Sequence, residues 1–176
     1  MATINGITIK SYKTFRGIEY LVCREANIWK GSKKIGTFTE DAWGGSANMT
    51  KGLSEAIKPS AMQYQSGCIG EYAKYESDTE VFISHILSLA EYEKVYKQNC
   101  KKGYMFTLFI GNGWKWIAYG FKSSFDYHDE TKLHKSVKTA IKKEFPKGCT
   151  LWHGESESDF IITVDKNNPV PQYLYI

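Results

Sequence analysis

The stretch from Ser77 to Cys100 constrains this chain more than any other. Ser77-Asp78-Thr79-Glu80 is a capping box, with a hydroxyl and a carboxylate three residues apart just ahead of an apolar run. Phe82, Ile86, Leu89 and Tyr96 then fall near one helical stripe, and Val81, Ile83, Leu87 and Val95 widen it. The spacing predicts a helix over about 78–100 whose broad apolar face must be laid against a sheet.

The sheet is supplied on both sides of that helix. Ile7 to Tyr12 alternates apolar with polar, the period of a half-buried strand. A turn at Thr14-Phe15-Arg16-Gly17 leads to Ile18–Cys23, then Asn27–Trp29, then Ile35–Phe38 across the glycine of Lys30-Gly31-Ser32-Lys33, so the first forty residues predict a β-meander. Tyr104–Ile110 and Trp114–Phe121 flank Asn112-Gly113, a strong hairpin signal. Thr150–Trp152 and Phe160–Val164 predict a closing pair of strands.

Two further helices are expected. Ser46 or Asn48 is placed to cap one over Met49–Lys58, which Pro59 ends. Leu133, Val137, Ala140 and Ile141 set another at 130–145, stopped by Pro146-Lys147-Gly148. Residues 59–77 show little period and are expected as a surface loop. The sum is a single α+β domain over 1–176: an N-terminal β-meander, a C-terminal hairpin–helix–hairpin unit, antiparallel sheet and about three helices.

Composition supports a packed core. Apolar residues are 42% and aromatics 15% of 176 residues, enough to bury roughly two-thirds of the unfolded surface without metals or staples. The mean hydropathy of -0.41 and the absence of a long apolar run predict a soluble chain. The strand-like opening Met-Ala-Thr-Ile-Asn-Gly predicts no secretory leader. Cys23, Cys68, Cys100 and Cys149 form no C-x-x-C pair, so free thiols in the cytoplasm are expected.

Charge is where function becomes visible. The net charge is only +4, yet residues 101–150 carry ten basic and four acidic groups. At 100° per residue, Lys132, Lys135, Lys138, Lys142 and Lys143 fall within an arc of about 140°, opposite the apolar stripe. Lys101, Lys102 and Lys115 lie in flanking segments, and Trp114 and Trp116 alternate with Lys115 on the neighbouring strand. Clustered lysines neutralise phosphates, and aromatics beside them offer bases a stacking surface. These ten residues are the candidate site for nucleic acid or an acidic partner surface; an ordinary solvated helix face is the plainer explanation of the same lysines.

Catalytic signals are weak by comparison. His85, His128, His134 and His153 form no metal-ligand spacing. His128-Asp129-Glu130 precedes a helix, where acids serve capping and dipole roles. Glu130-Thr131-Lys132 has the E-x-K spelling of restriction-type nucleases but opens a helix instead of lying on a strand. No cofactor, no metal site and no membrane contact are expected. A metal-dependent nuclease using acids near 126–130, or a self-assembling phage component, are the alternatives to a binding protein.

One local pattern carries a likeness. Lys33-Lys34-Ile35-Gly36-Thr37-Phe38 through Asp41-Ala42-Trp43-Gly44-Gly45 resembles a hairpin common in small phage and mobile-element proteins. The whole chain, small, aromatic and charge-segregated, resembles anti-CRISPR and related anti-defence proteins. That resemblance implies a non-enzymatic inhibitor in the cytoplasm of a bacterial host, contacting a CRISPR effector nuclease, its nucleic acid, or both. Those proteins share a function and not a sequence, so no residue roles transfer.

Overall fold

The computed structural model describes residues 1–16, 22–43, 45–68, 78–112 and 115–174. Gly113 and Trp114 lie outside them, and so do residues 69–77 of the surface loop expected at 59–77; its first part, 59–66, is helical instead. The protein is α+β, with three helices and nine strands in two sheets among the described residues. Every pairing is antiparallel but one. The chain divides into two compact units, residues 1–90 with 161–170, and residues 91–160 with 171–176.

The first unit holds β1 (Thr3–Ile4), β2 (Ile7–Arg16), β3 (Val22–Lys30), β4 (Lys33–Thr39) and β5 (Asn48–Met49). With β9 (Ile161–Ile162) they form one sheet, ordered β5-β4-β3-β2-β1-β9. The expected meander is there in β2, β3 and β4. β2 runs on through Thr14, Phe15 and Arg16 of the predicted turn to pair Arg16 with Val22. Val22 and Cys23, the end of one predicted strand, and Asn27–Trp29, the next, belong to one β3, while 18–21 lie outside the described residues. The polar Arg24-Glu25 looks like a break because its partner is distant: Arg24 lies on Glu40 at 2.6 Å. Register shifts at Lys10/Tyr12 and Ile28/Trp29 absorb the imperfect alternation. Ser11, at φ +59, sits in the first of them.

Helix α1 spans Leu53–Ser66, beyond the expected stop at Pro59. A proline inside a helix costs about 3 kcal/mol. Burial of Leu53, Ile57, Ala61 and Tyr64 on one face offsets it. The helix starts at Gly52, in the left-handed region at φ +80, and not at Ser46 or Asn48. Helix α2 spans Thr79–Lys101, as its stripe requires. Its cap is Asp78, whose Oδ1 accepts from the amides of Glu80 (2.8 Å) and Val81 (3.3 Å). Glu80 turns away and accepts from the Ala47 amide at 3.1 Å.

The second unit is built on β6 (Phe106–Asn112), β7 (Lys115–Phe121) and β8 (Thr150–Gly154), ordered β7-β6-β8. The hairpin closes on Asn112↔Lys115. Central β6 is buried from Phe106 to Ile110 on both faces, which is why it reads as a continuous apolar run. Phe106, Leu108 and Ile110 pack with Leu133, Val137 and Phe145 on the side covered by α3 (Lys135–Glu144). The other side is aromatic: Phe109 stacks on Trp152 at 4.3 Å, and Trp152 on Tyr173 at 4.1 Å.

The predicted second C-terminal hairpin does not form. Asp159 Oδ2 accepts from the amides of Glu155 (2.7 Å) and Ser156 (2.8 Å), which folds the chain into a 3-10 turn at Glu157–Phe160. The remaining two-residue β9 pairs parallel with β1 in the first unit's sheet. No helix among the described residues is long and apolar enough to cross a membrane.

Candidate nucleic-acid interface

Helix α3 is shorter than its lysine pattern. It begins at Lys135, where His134 Nδ1 accepts from the Ser136 amide at 3.4 Å and faces the Ser136 hydroxyl at 2.8 Å. Asp129 is therefore no helix cap. Its Oδ1 accepts from the amide and hydroxyl of Thr131 at 2.9 and 2.6 Å, closing a local turn. Those bonds, with Lys132 nearby, hold its carboxyl below the usual range. Lys132 lies in this turn, 3.7 Å from Asp126 and 3.5 Å from Asp129, and leaves the helical ridge.

Four lysines remain on α3. Lys135 and Lys143 line a groove between the helix and β7; Lys142 falls about 20° and Lys138 about 60° beyond Lys135 on the side away from Lys143. Lys135, Lys138 and Lys142 make no ion pair among the described residues, whereas Lys143 lies 3.6 Å from Glu144. Lys115 Nζ donates to Glu144 Oε2 at 2.7 Å and sits over the Phe145 ring at 5.6 Å. That bond, and the charge behind it, holds the Glu144 carboxyl down. The nearby acids are thus already engaged, and the outer lysines are not.

Strand alternation separates the aromatic from the cations. Lys115, Ile117, Tyr119 and Phe121 share the face of β7 that α3 covers, while Trp116 points to the other side. There, half-buried, it meets Tyr92 at 4.9 Å and Phe109 at 6.0 Å on the aromatic side of the sheet. Trp116 is a packing residue and does not stand beside Lys115. Trp114 lies outside the described residues. Lys101 and Lys102 are exposed at the end of α2, where the chain enters β6. Asn112 and Lys115 close the opposite end of that seven-residue hairpin, about 20 Å away.

The aromatic beside the lysines is Tyr119, which the sequence reading passed over. Ile117, Tyr119 and Ala140 form the apolar wall of the groove, with His134, Ser136 and Thr139 around it. The signal was present in the parity of β7: residues in step with Lys115, and not those out of step, share its face.

The histidines are all engaged in local structure. His85 Nδ1 faces the Tyr64 hydroxyl at 2.5 Å in the first unit's core. Burial, and then the Arg24 charge, push its pKa down to about 4. His153 stacks on Phe106, and its Nδ1 lies 3.0 Å from the Tyr127 hydroxyl. Glu155 stands 3.8 Å from Nε2, so acid, imidazole and hydroxyl form a line. Burial and the charges of Asp126 and Glu155 raise the Tyr127 pKa, which keeps the phenol protonated and disfavours it as a nucleophile. Among the described residues no three His, Cys, Asp or Glu side chains converge as a metal site would need. Cys23, Cys68, Cys100 and Cys149 are free thiols.

The chain matches no protein-family model, and no curated protein or solved structure matches it significantly.

Proposed function

We propose that this protein is a non-enzymatic binding protein that grips the phosphate backbone of nucleic acid through α3, and acts as an inhibitor of a bacterial CRISPR effector nuclease. One observation carries the first half. Lys135, Lys138 and Lys142 stand on one ten-residue helix without an acid partner among the described residues, beside acids already taken by Lys115, Lys132 and Lys143. A surface tuned only for solubility intersperses charges of both signs. Three unneutralised cations instead leave a local positive potential that the net charge of +4 understates. The second half is supported by the likeness to anti-defence proteins and by a site made of cations and apolar surface, with no activated nucleophile.

The test is a titration against a reconstituted effector and its target DNA. Inhibition is expected to reach completion near one-to-one stoichiometry and to weaken as salt rises. Substoichiometric, time-dependent loss of the DNA itself would assign a nuclease instead. Tagged protein drawn from a bacterial lysate with and without nuclease treatment identifies whether nucleic acid bridges the contact.

A further inference from the structure

The groove between α3 and β7 is shallow and open on its solvent side, with a volume of about 730 Å³. Its wall is apolar and half-buried, made by Ile117, Tyr119 and Ala140, and its rim carries Lys135 and Lys143 with the hydroxyls of Ser136 and Thr139. Among the described residues β7 is an edge strand of the three-stranded sheet. The one rim acid, Glu144, is held by Lys115 at 2.7 Å. A ligand here meets an aromatic ring, apolar side chains and cations at once.

We propose that this groove receives an unstacked nucleobase of a single-stranded nucleic acid, with the base against Tyr119 and the adjoining phosphates on Lys135 and Lys143. The proposal rests on the phosphate-binding reading above and adds the strand form of the ligand. A duplex offers its phosphates to the outer lysines but keeps its bases stacked, so it cannot fill the apolar wall. A single strand satisfies both surfaces, because every base has a face to stack and a flexible backbone to bring phosphates to the rim. Thr139 Oγ1 donates to the Lys135 carbonyl at 2.9 Å and Ser136 Oγ faces His134 Nδ1 at 2.8 Å, so these rim hydroxyls have lone pairs left to accept from a donor on the edge of a base.

The experiment compares a labelled single-stranded oligothymidylate with a duplex of equal length by fluorescence anisotropy across salt. The single strand is expected to bind tighter. Tyr119→Ala should weaken it about tenfold or more while leaving duplex affinity unchanged, and Tyr119→Phe should retain binding. Since Tyr119 is half-buried, Thr139→Glu at the exposed rim is the second variant. Glutamate suits a helix, so folding should survive, while its charge should repel the strand. Equal, salt-dependent affinities for both forms, with both variants silent, would overturn the groove and leave the phosphate reading standing. Absence of salt-dependent binding to either form would remove that reading and this one together. Displacement of oligothymidylate by polyglutamate at lower concentration than by itself would assign the groove to an acidic protein and overturn the proposal.

Discussion

Asn5 grips the peptide of Val164 from both sides: its Oδ1 accepts from the Val164 amide at 2.8 Å, and its Nδ2 donates to the Val164 carbonyl at 3.1 Å. The same Nδ2 reaches the Ser60 carbonyl at 3.2 Å, and the Ser60 hydroxyl donates to the Asn5 carbonyl at 2.9 Å. Asn5 and Gly6, at φ +48 and +76, form the tight turn between β1 and β2. One side chain thus ties that turn to α1 and to the segment after β9. Asn5→Ala is expected to lower stability by about 2–4 kcal/mol, through lost hydrogen bonds and an alanine forced into the left-handed region. Asn5→Gly should cost less, since glycine keeps the turn. Urea denaturation of the two variants measures the difference.

His85 makes stability depend on pH in a defined window. Its folded pKa of about 4 lies below the ordinary 6.5, so between those values the unfolded chain holds a proton that the folded chain does not. Its contribution is therefore fully present above about pH 6.5, lost as the pH falls toward 4, and constant below. The size is roughly 3 kcal/mol. His85→Asn, which keeps an acceptor near Tyr64, should flatten the fall in melting temperature across this interval. Identical acid profiles for the variant and the parent would contradict the assignment.

The outer ridge predicts a salt slope. Each phosphate contact adds about 0.9 to the log–log dependence of duplex affinity on salt. Lys138→Glu with Lys142→Glu, on the part of α3 away from the groove, should therefore reduce that slope by about two. Folding should change by about 1 kcal/mol or less, because Lys142 is exposed, Lys138 is half-buried and neither makes an ion pair among the described residues. A slope that stays put would leave the ridge as solvated surface.

Trp116 offers the opposite outcome. Its ring packs on Tyr92 and Phe109, so Trp116→Ala is expected to destabilise the protein by about 2–4 kcal/mol and leave the salt slope unchanged. Paired melting and binding measurements separate the two effects. Loss of binding without loss of stability would return Trp116 to the interface.

Gly67 sets a packing limit. A Cβ there would stand 2.5 Å from Val164 Cγ1 and 2.7 Å from the Asp165 carbonyl oxygen. Gly67→Ala is expected to cost about 1–3 kcal/mol by forcing these neighbours apart. A thermal melt of the variant reads it directly.

Much of this architecture was legible from local chemistry. Long α2 followed from a four-residue stripe, although its cap is Asp78 and Glu80 of the expected capping box binds the Ala47 amide instead. The β6–β7 hairpin followed from Asn112-Gly113, although its closing pair is Asn112↔Lys115. A second Asn-Gly, at Asn5-Gly6, makes the β1–β2 turn within an opening that was expected to be strand-like throughout. These features depend on neighbours within one or two turns of chain, so sequence determines them. So too does the placing of Lys135, Lys138, Lys142 and Lys143 on α3, whereas Lys132 falls outside because the helix starts later than its period suggests.

Tertiary structure decided what local rules leave open. Pro59 stays inside α1 because burial on both sides of it outweighs one lost hydrogen bond. Arg24 belongs to a strand because Glu40, sixteen residues away, neutralises it. Ile161 and Ile162 join β1, more than 150 residues earlier, because Asn5 captures the chain just beyond them. At the candidate interface, helical period puts the lysines on one side, but which aromatic accompanies them depends on which face of β7 is laid against α3. Strand parity groups Tyr119 with Lys115, but the packing of Leu108, Ile110 and Val137 decides that this face meets α3 and that half-buried Trp116 lies against Tyr92 and Phe109.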